Sequence, residues 1–188
     1  MVNPMDLYII TPAKKRDSDE WEGELNNFHM TMDPKLSLYT NKIVVDSWNN
    51  IRKYTDVRNA FFIFDEQRVI GYGMWTKSFL KIVRSNRWIM LSATPGDTWM
   101  DYLPVFIANG FYANKTDFIR QHVVYNRYTV FPKVDKYINE GRLQSLRRHI
   151  LVNMEFHRQT IPHHVWTAID YDHEKYDLVS KTRWNPYK

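Results

Sequence analysis

The sequence predicts an α/β fold built on a mostly parallel sheet with flanking helices, and three observations carry that expectation. Short apolar runs end abruptly in polar residues, amphipathic stretches separate those runs, and the pattern repeats along the chain. The 188 residues, 22.8 kDa, suit one ordinary domain, or one domain with a tail. A 44% hydrophobic content, with 10 Phe, 7 Trp and 12 Tyr, is enough for a sizeable core and excludes a disordered or fibrous chain.

The first expected strand is Leu7-Tyr8-Ile9-Ile10, which ends at Thr11-Pro12, where Pro12 disfavours helix at the residue before it. Ile43-Val44-Val45 is the second and ends at Asp46-Ser47. Phe61-Phe62-Ile63-Phe64 is the third, followed by Asp65-Glu66. Trp88-Ile89-Met90-Leu91 is the fourth and runs into Ser92-Ala93-Thr94-Pro95-Gly96. Apolar runs of about four residues with polar ends are what a parallel sheet covered on both faces requires.

The segments between are helical in pattern. Between Arg68 and Arg87, Trp75, Phe79 and Ile82 share one face, and Lys77, Lys81 and Arg84 share the opposite one. Asp101 to Ala108 reads as a helix stopped at Asn109-Gly110. Asn114 or Thr116 can cap the next helix, which leads into Val123-Val124. Beyond about Phe131 the pattern weakens. Arg142 to His149 reads as helix, Ile150 to Met154 and Val165 to Ile169 as strands at an antiparallel sheet edge, and Asp172 as the cap of a last helix through Val179.

Composition narrows the function classes. No run approaches 18 apolar residues and the Met1 end has no basic-then-apolar signal pattern, so the expectation is no membrane span and no secretion. The absence of cysteine excludes a disulfide scaffold, a zinc finger and a thiol nucleophile, and fits a cytoplasmic location. A net charge of +5 and a pI near 9.3 favour an anionic partner mildly. His163 and His164 are adjacent and point to opposite faces on a strand, and no helical histidine pair exists, which argues against a metal site.

Four loops carry candidate chemistry, all at the ends of expected strands and hence on the edge where open α/β sheets bind ligands. Asp65 and Glu66 suit, respectively, a Mg²⁺ ion carrying nucleotide phosphates and the orientation of an attacking water. The alternative is a solvated strand-to-loop turn. Ser92 and Thr94 are small hydroxyl residues able to bond carboxylates of the preceding strand, or simply to form a turn with a helix cap. Lys14, Lys15 and Arg16 after Thr11, with Ser47 and Asn49, suit the phosphates of a nucleic-acid strand. The tryptophans suit the core better than a base-stacking platform, and Trp48 and Trp99, beside expected loops, are the two candidates for stacking.

Taken in order, Thr11-Pro12-Ala13-Lys14, Asp46-Ser47-Trp48-Asn49, Asp65-Glu66-Gln67-Arg68 and Ser92-Ala93-Thr94-Pro95-Gly96, each after a strand, resemble motifs Ia, Ib, II and III of superfamily 2 helicases. The resemblance is to their first RecA-like motor domain, of the P-loop NTPase type. Thr94-Pro95-Gly96-Asp97-Thr98-Trp99 and Ile107-Ala108-Asn109-Gly110-Phe111-Tyr112 look like phage-encoded DEAD/DEAH-box and Swi/Snf-like enzymes in particular. It implies residues 1–130 as a partial RecA-like domain and 131–188 as an extension toward a second such domain. It implies Asp65 as the Mg²⁺ residue, Glu66 as the catalytic carboxylate and Gln67 and Arg68 as the variable pair. Ser92 and Thr94 become coupling residues and Thr11, Lys14 and Ser47 contacts to the backbone of the tracking DNA strand, to which the reading of the loops adds Lys15, Arg16 and Trp48.

One part of the family pattern is missing. None of the six glycines is followed by Lys, so no G-x-x-x-x-G-K-S/T phosphate loop occurs, and only six residues precede the first strand. The expectation is therefore a helicase fragment whose sheet is incomplete at its N-terminal side, with sheet edges left unpaired. ATP and Mg²⁺ belong to the complete enzyme and are not expected to bind this chain tightly by itself. The expected partners are DNA and a separate chain carrying the phosphate loop or the second RecA-like domain, with no membrane involved, in the cytoplasm of the host if the gene is a phage's. The alternative is a non-catalytic nucleic-acid-binding or protein-interaction module that kept the scaffold.

Overall fold

Four parallel strands form the centre of the first of two units into which the chain divides, Met1–Leu151 and Val152–Lys188. The computed structural model describes residues 5–33, 42–66, 69, 71–126, 128–152, 154 and 165–183. The strands are β1 (Leu7–Thr11), β2 (Ile43–Ser47), β3 (Phe61–Asp65) and β4 (Arg87–Leu91), in spatial order β2-β1-β3-β4. All four expected apolar runs form strands, and each ends at the polar residues that follow it. Register is set at the amino ends, where Leu7 N–H donates to Lys42 O and Phe61 N–H donates to Asp6 O, both at 2.8 Å. Ile10 then lies beside both Asp46 and Phe64, and Asp65 beside Leu91.

Side chains alternate across a strand, so each strand divides its residues between two faces. Tyr8, Ile10, Phe62, Phe64, Trp88 and Met90 share one face. It packs under the 3-10 helix Trp48–Tyr54 and under α3 (Met74–Val83), which presents Phe79 and Ile82 to it. Lys77, Lys81 and Arg84 lie on the exposed side of α3, as its period predicts. The ring of Phe64 meets Phe79 edge-on at 5.0 Å and Trp48 at 5.5 Å.

The opposite face departs from expectation. Ile9 is fully buried, but Ile89 and Leu91 are 43% and 36% exposed. On this face lie α1 (Ala13–Asp17) and α2 (Glu20–Asn27), with Leu25 buried, and an open groove alongside is lined also by Phe28 and Met30. An apolar run states that a strand can be buried on both faces. It does not supply the covering layer.

A second core lies in the same unit. Around Phe106, α4 (Trp99–Ala108), α5 (Lys115–His122) and α6 (Glu140–Ile150) contribute Tyr102, Leu103, Phe118 and Leu143. The Asn114 cap is as expected, its Oδ1 accepting from Asp117 N at 2.9 Å. A separate antiparallel hairpin joins β5 (Val123–Asn126) to β6 (Lys133–Tyr137), and β6 carries no apolar run that would have announced it. The strand expected from Ile150 to Met154 is corrected. Leu143, Leu146 and Ile150 repeat at a helical period and pack on this core, so Ile150 closes α6. Leu151, Val152 and Met154 are in no strand, and Asn153 lies outside the described residues.

In the second unit Val165 to Ile169 are also not a strand, and Val165, Trp166 and Ile169 are largely exposed. Asp172 caps α7 (His173–Thr182), its Oδ1 accepting from Lys175 N at 3.1 Å. No helix among the described residues is long and apolar enough to cross a membrane.

Asn86 ties the end of α3 to the sheet. Its Oδ1 accepts from Ala60 N at 2.9 Å, and its Nδ2 donates to Val57 O and Ile82 O at 2.9 and 2.8 Å. Replacing Asn86 by Ala leaves the Ala60 amide without its acceptor, while Val57 O keeps the Arg58 guanidinium and Ile82 O the Ser85 amide. The expected loss is about 1–3 kcal/mol, read as a lower urea midpoint at unchanged slope.

Candidate functional site

Asp65 ends the central strand β3 and is 5% exposed. A buried carboxylate must be neutralised or hydrogen-bonded, and three elements supply the donors. Thr11 at the end of β1 donates its hydroxyl to Oδ2 at 2.8 Å. Lys15, one turn into α1, places its ammonium 2.9 Å from the same oxygen. The Trp21 indole N–H of α2 is shared between that oxygen at 3.3 Å and Thr11 Oγ1 at 3.2 Å. Lys15 also lies 5.3 Å from the centre of the Trp21 ring. From the opposite side of the sheet, Trp48 Nε1 donates to the Asp65 main-chain oxygen at 2.8 Å. The hydrogen bond to Asp65 holds the Lys15 ammonium above the usual lysine range, against its partial burial, and the charges of Asp65, Glu20 and Glu66 add to it.

Glu66 follows in a left-handed conformation (φ 54°) and is exposed. A non-glycine residue there stores backbone strain of about 1–3 kcal/mol. Gln67 and Arg68, expected as the variable pair, lie outside the described residues.

The second strand-end carboxylate, Asp46, has a different role. Its Oδ1 accepts from Asn50 Nδ2 and Ser47 N at 2.7 Å and from Arg16 at 3.3 Å, and its Oδ2 accepts from Tyr54 OH at 2.6 Å. Burial penalises its charge, but these hydrogen bonds together outweigh that and hold the carboxyl below its usual range. Burial and then the bond to Asp46 push the Tyr54 phenol far upward. This network closes β2 onto the 3-10 helix.

These contacts revise the expected nucleic-acid surface. Lys15 is held by Asp65, and Arg16 by Asp17 and Asp46. Of the three consecutive cations only Lys14 is exposed and unpaired among the described residues. Ser47 and Trp48 are each 2% exposed, and Trp48 packs on Phe64 and Trp75, so neither side chain presents surface to a strand. Asn49 is exposed. Trp99 is half-buried, its indole N–H on Glu140 and its ring near Arg147, so it too has protein partners.

Ser92 and Thr94 are exposed, and Ser92 Oγ accepts from Thr94 N at 3.2 Å within its own loop; neither hydroxyl bonds Asp65. The rest of that loop is shaped by the start of α4. Asp101 Oδ2 accepts from Thr98 N at 2.8 Å and from Asp97 N at 3.1 Å. Gly96 has φ 152°, and a Cβ there would stand 2.7 Å from the Asp101 Cβ, so only glycine fits.

Beside Asp65 a groove of about 640 Å³ runs between α2 and the open sheet face. Its floor is Leu7, Ile9, Ile63 and Leu91, with Lys15 and Asp65 among its polar lining. Trp21 is the site residue that the sequence did not single out, and nothing in its local sequence marks it. Among the described residues no three His, Asp or Glu side chains converge on one point. The Asp65 Oδ2 atom is already matched by an ammonium and two neutral donors. The donor set therefore does not fit a resident Mg²⁺ ion.

Compared with protein-family models, with curated proteins and with solved structures, the chain matches none of them.

Two outcomes are expected from substitutions. Lys15→Met leaves Asp65 buried with neutral donors alone and costs about 1–3 kcal/mol, whereas Lys14→Met stays within about 0.5 kcal/mol, both by urea unfolding. A carboxyl held below its ordinary pKa stabilises the fold above that value and loses the contribution as pH falls through the folded one. The wild type therefore loses stability below about pH 4, and Asp46→Asn, less stable at neutral pH, flattens this acid limb in urea midpoints measured against pH.

Proposed function

We propose that this chain is the scaffold of a RecA-like motor domain of the superfamily 2 helicase kind, with Asp65 and Glu66 as its nucleotide-edge carboxylates. The observation that carries the reading is the placement of four loops. Those after β1, β2, β3 and β4 all leave the carboxyl edge of one parallel sheet. There the Asp65 carboxylate is bonded to Thr11 at the end of β1 and to Lys15 of α1. Strand β3 stands between the strand bearing Thr11-Pro12-Ala13-Lys14 and the strand leading to Ser92-Ala93-Thr94-Pro95-Gly96.

In this reading a nucleotide's Mg²⁺ supplies charge neutralisation of the phosphates, and this chain supplies the carboxylate edge. Asp65 is pre-oriented by its three donors, and Glu66, exposed beside it, orients the attacking water. Lys14 and Asn49 remain on the surface for a DNA backbone. None of the six glycines here is followed by Lys, so in this reading the phosphate-holding loop is supplied from outside these 188 residues. The chain by itself then neither binds ATP tightly nor hydrolyses it.

A specific observation favours a second reading, a non-catalytic nucleic-acid-binding module. Lys15 already neutralises Asp65, as an ammonium does where no metal is to be recruited. ATP hydrolysis in the presence of single-stranded DNA separates the two. The motor reading expects activity only when a polypeptide carrying G-x-x-x-x-G-K-S/T is co-expressed, and loss of at least about 100-fold with Glu66→Gln. Activity unchanged by Glu66→Gln sinks the assignment of the acid pair. DNA binding with no hydrolysis under any pairing leaves the module.

A further inference from the structure

The β5–β6 hairpin carries a tip whose exposure its composition does not explain. Tyr128, Val130 and Phe131 are 98%, 93% and 81% exposed, three large apolar side chains within four residues. The turn is nonetheless stitched together. Tyr128 N donates to Asn126 Oδ1 at 2.8 Å, and the Thr129 hydroxyl contacts Asn126 O at 3.2 Å and Phe131 O at 2.7 Å. These bonds fold the turn without turning the aromatic rings inward.

The root of the hairpin is anchored as firmly as the tip is bare. His122, fully buried just before β5, donates from Nδ1 to Ile138 O at 3.0 Å, since a carbonyl can only accept. Its Nε2 then accepts the Tyr112 hydroxyl at 2.7 Å, and Ile138 N returns a bond to His122 O at 2.9 Å. Between root and tip the exposed stem residues include Lys133 and Lys136, with Asp135 as the one acid of the hairpin. At the root, Arg120 and Arg142 border a hollow of about 570 Å³ lined also by His122, Ile138 and Asn139. Arg120 is 80% exposed and only loosely paired with Asp117 at 3.4 Å, and Arg142 donates to Gln121 Oε1 at 3.2 Å and lies over the Tyr112 ring.

We infer that this hairpin is a contact for single-stranded nucleic acid, with unpaired bases stacking on Tyr128 and Phe131 and phosphates following Lys133 and Lys136 toward Arg120 and Arg142. Aromatic faces held away from the core are open to unpaired bases and closed to a stacked duplex. Cations distributed along the stem and at its root match an extended polyanion better than a flat charged surface. The inference rests on the nucleic-acid partner proposed above. It does not rest on the acid pair, which lies in a different element.

The test is fluorescence anisotropy with labelled oligo(dT) of about 20 nucleotides, titrated with the full chain at several salt concentrations. Tyr128→Ala with Phe131→Ala is expected to weaken binding about 10-fold or more while leaving the salt dependence unchanged, and Phe131→Tyr to retain it. Lys133→Gln with Lys136→Gln is expected to reduce the slope of log K against log salt by roughly 1.4. All these side chains are exposed, so an unchanged thermal transition verifies folding. Wild-type binding that the double alanine variant matches overturns the hairpin assignment and leaves the partner reading intact. No wild-type binding to oligo(dT) or oligo(U) overturns the partner reading and the inference with it. Binding to phosphatidylserine vesicles that the double alanine variant loses, with oligo(dT) binding unaltered, assigns the tip to a membrane surface and overturns the inference.

Discussion

A carboxylate buried at the carboxyl end of a central strand is the constraint on which the first unit's arrangement depends. Left without donors, Asp65 would cost several kcal/mol. The chain meets that cost with one group from each of three successive elements, Thr11 from β1, Lys15 from α1 and Trp21 from α2. None of the three can be moved independently. The parallel register of β1 with β3 brings Thr11 alongside, the turn of α1 brings Lys15 over it, and α2 must lie close enough for the indole to reach. The bond from Trp48 to the Asp65 main-chain oxygen fastens the opposite layer to the same residue. Sheet, helical pair and 3-10 helix therefore meet at one position.

The same chemistry explains why the basic run after β1 is not a free surface. Two strands end in carboxylates on one edge, and Lys15 and Arg16 are committed one to each. Asp46 holds the chain around it through its hydrogen bonds, whereas Asp65, the more buried of the two, lines a groove and is followed by an exposed, strained Glu66. That contrast separates a structural carboxylate from a candidate for chemistry. It also sets a condition on function, because any cation brought to Asp65 competes with an ammonium 2.9 Å away.

Aromatic residues show how little a residue's type says about its use. Trp48 sits beside a loop in sequence, yet burial against Phe64 and Trp75 makes it core. Tyr128 and Phe131 stand just before the point where the pattern weakens, and they are among the most exposed side chains described. The difference arises from what each segment packs against. The 3-10 helix lies on the sheet, and the hairpin is fastened at its root through His122 and leaves its tip in solvent.

What the sequence determined by itself is what interactions over a few residues can decide. The four strands and the buried and basic faces of α3 follow from apolar periodicity, and the caps at Asn114 and Asp172 from bonds to amides three residues on. The order of the strands, the open second face, the hairpin and the fate of each cation were decided only in the tertiary structure. Thr11 and Asp65 are 54 residues apart, and Trp21 and Asp65 are 44 apart. Over such separations a side chain's partner depends on which strands become neighbours and how they register. No local pattern encodes that pairing, because the favourable term appears only once the carboxylate has left water and its donors have converged on it.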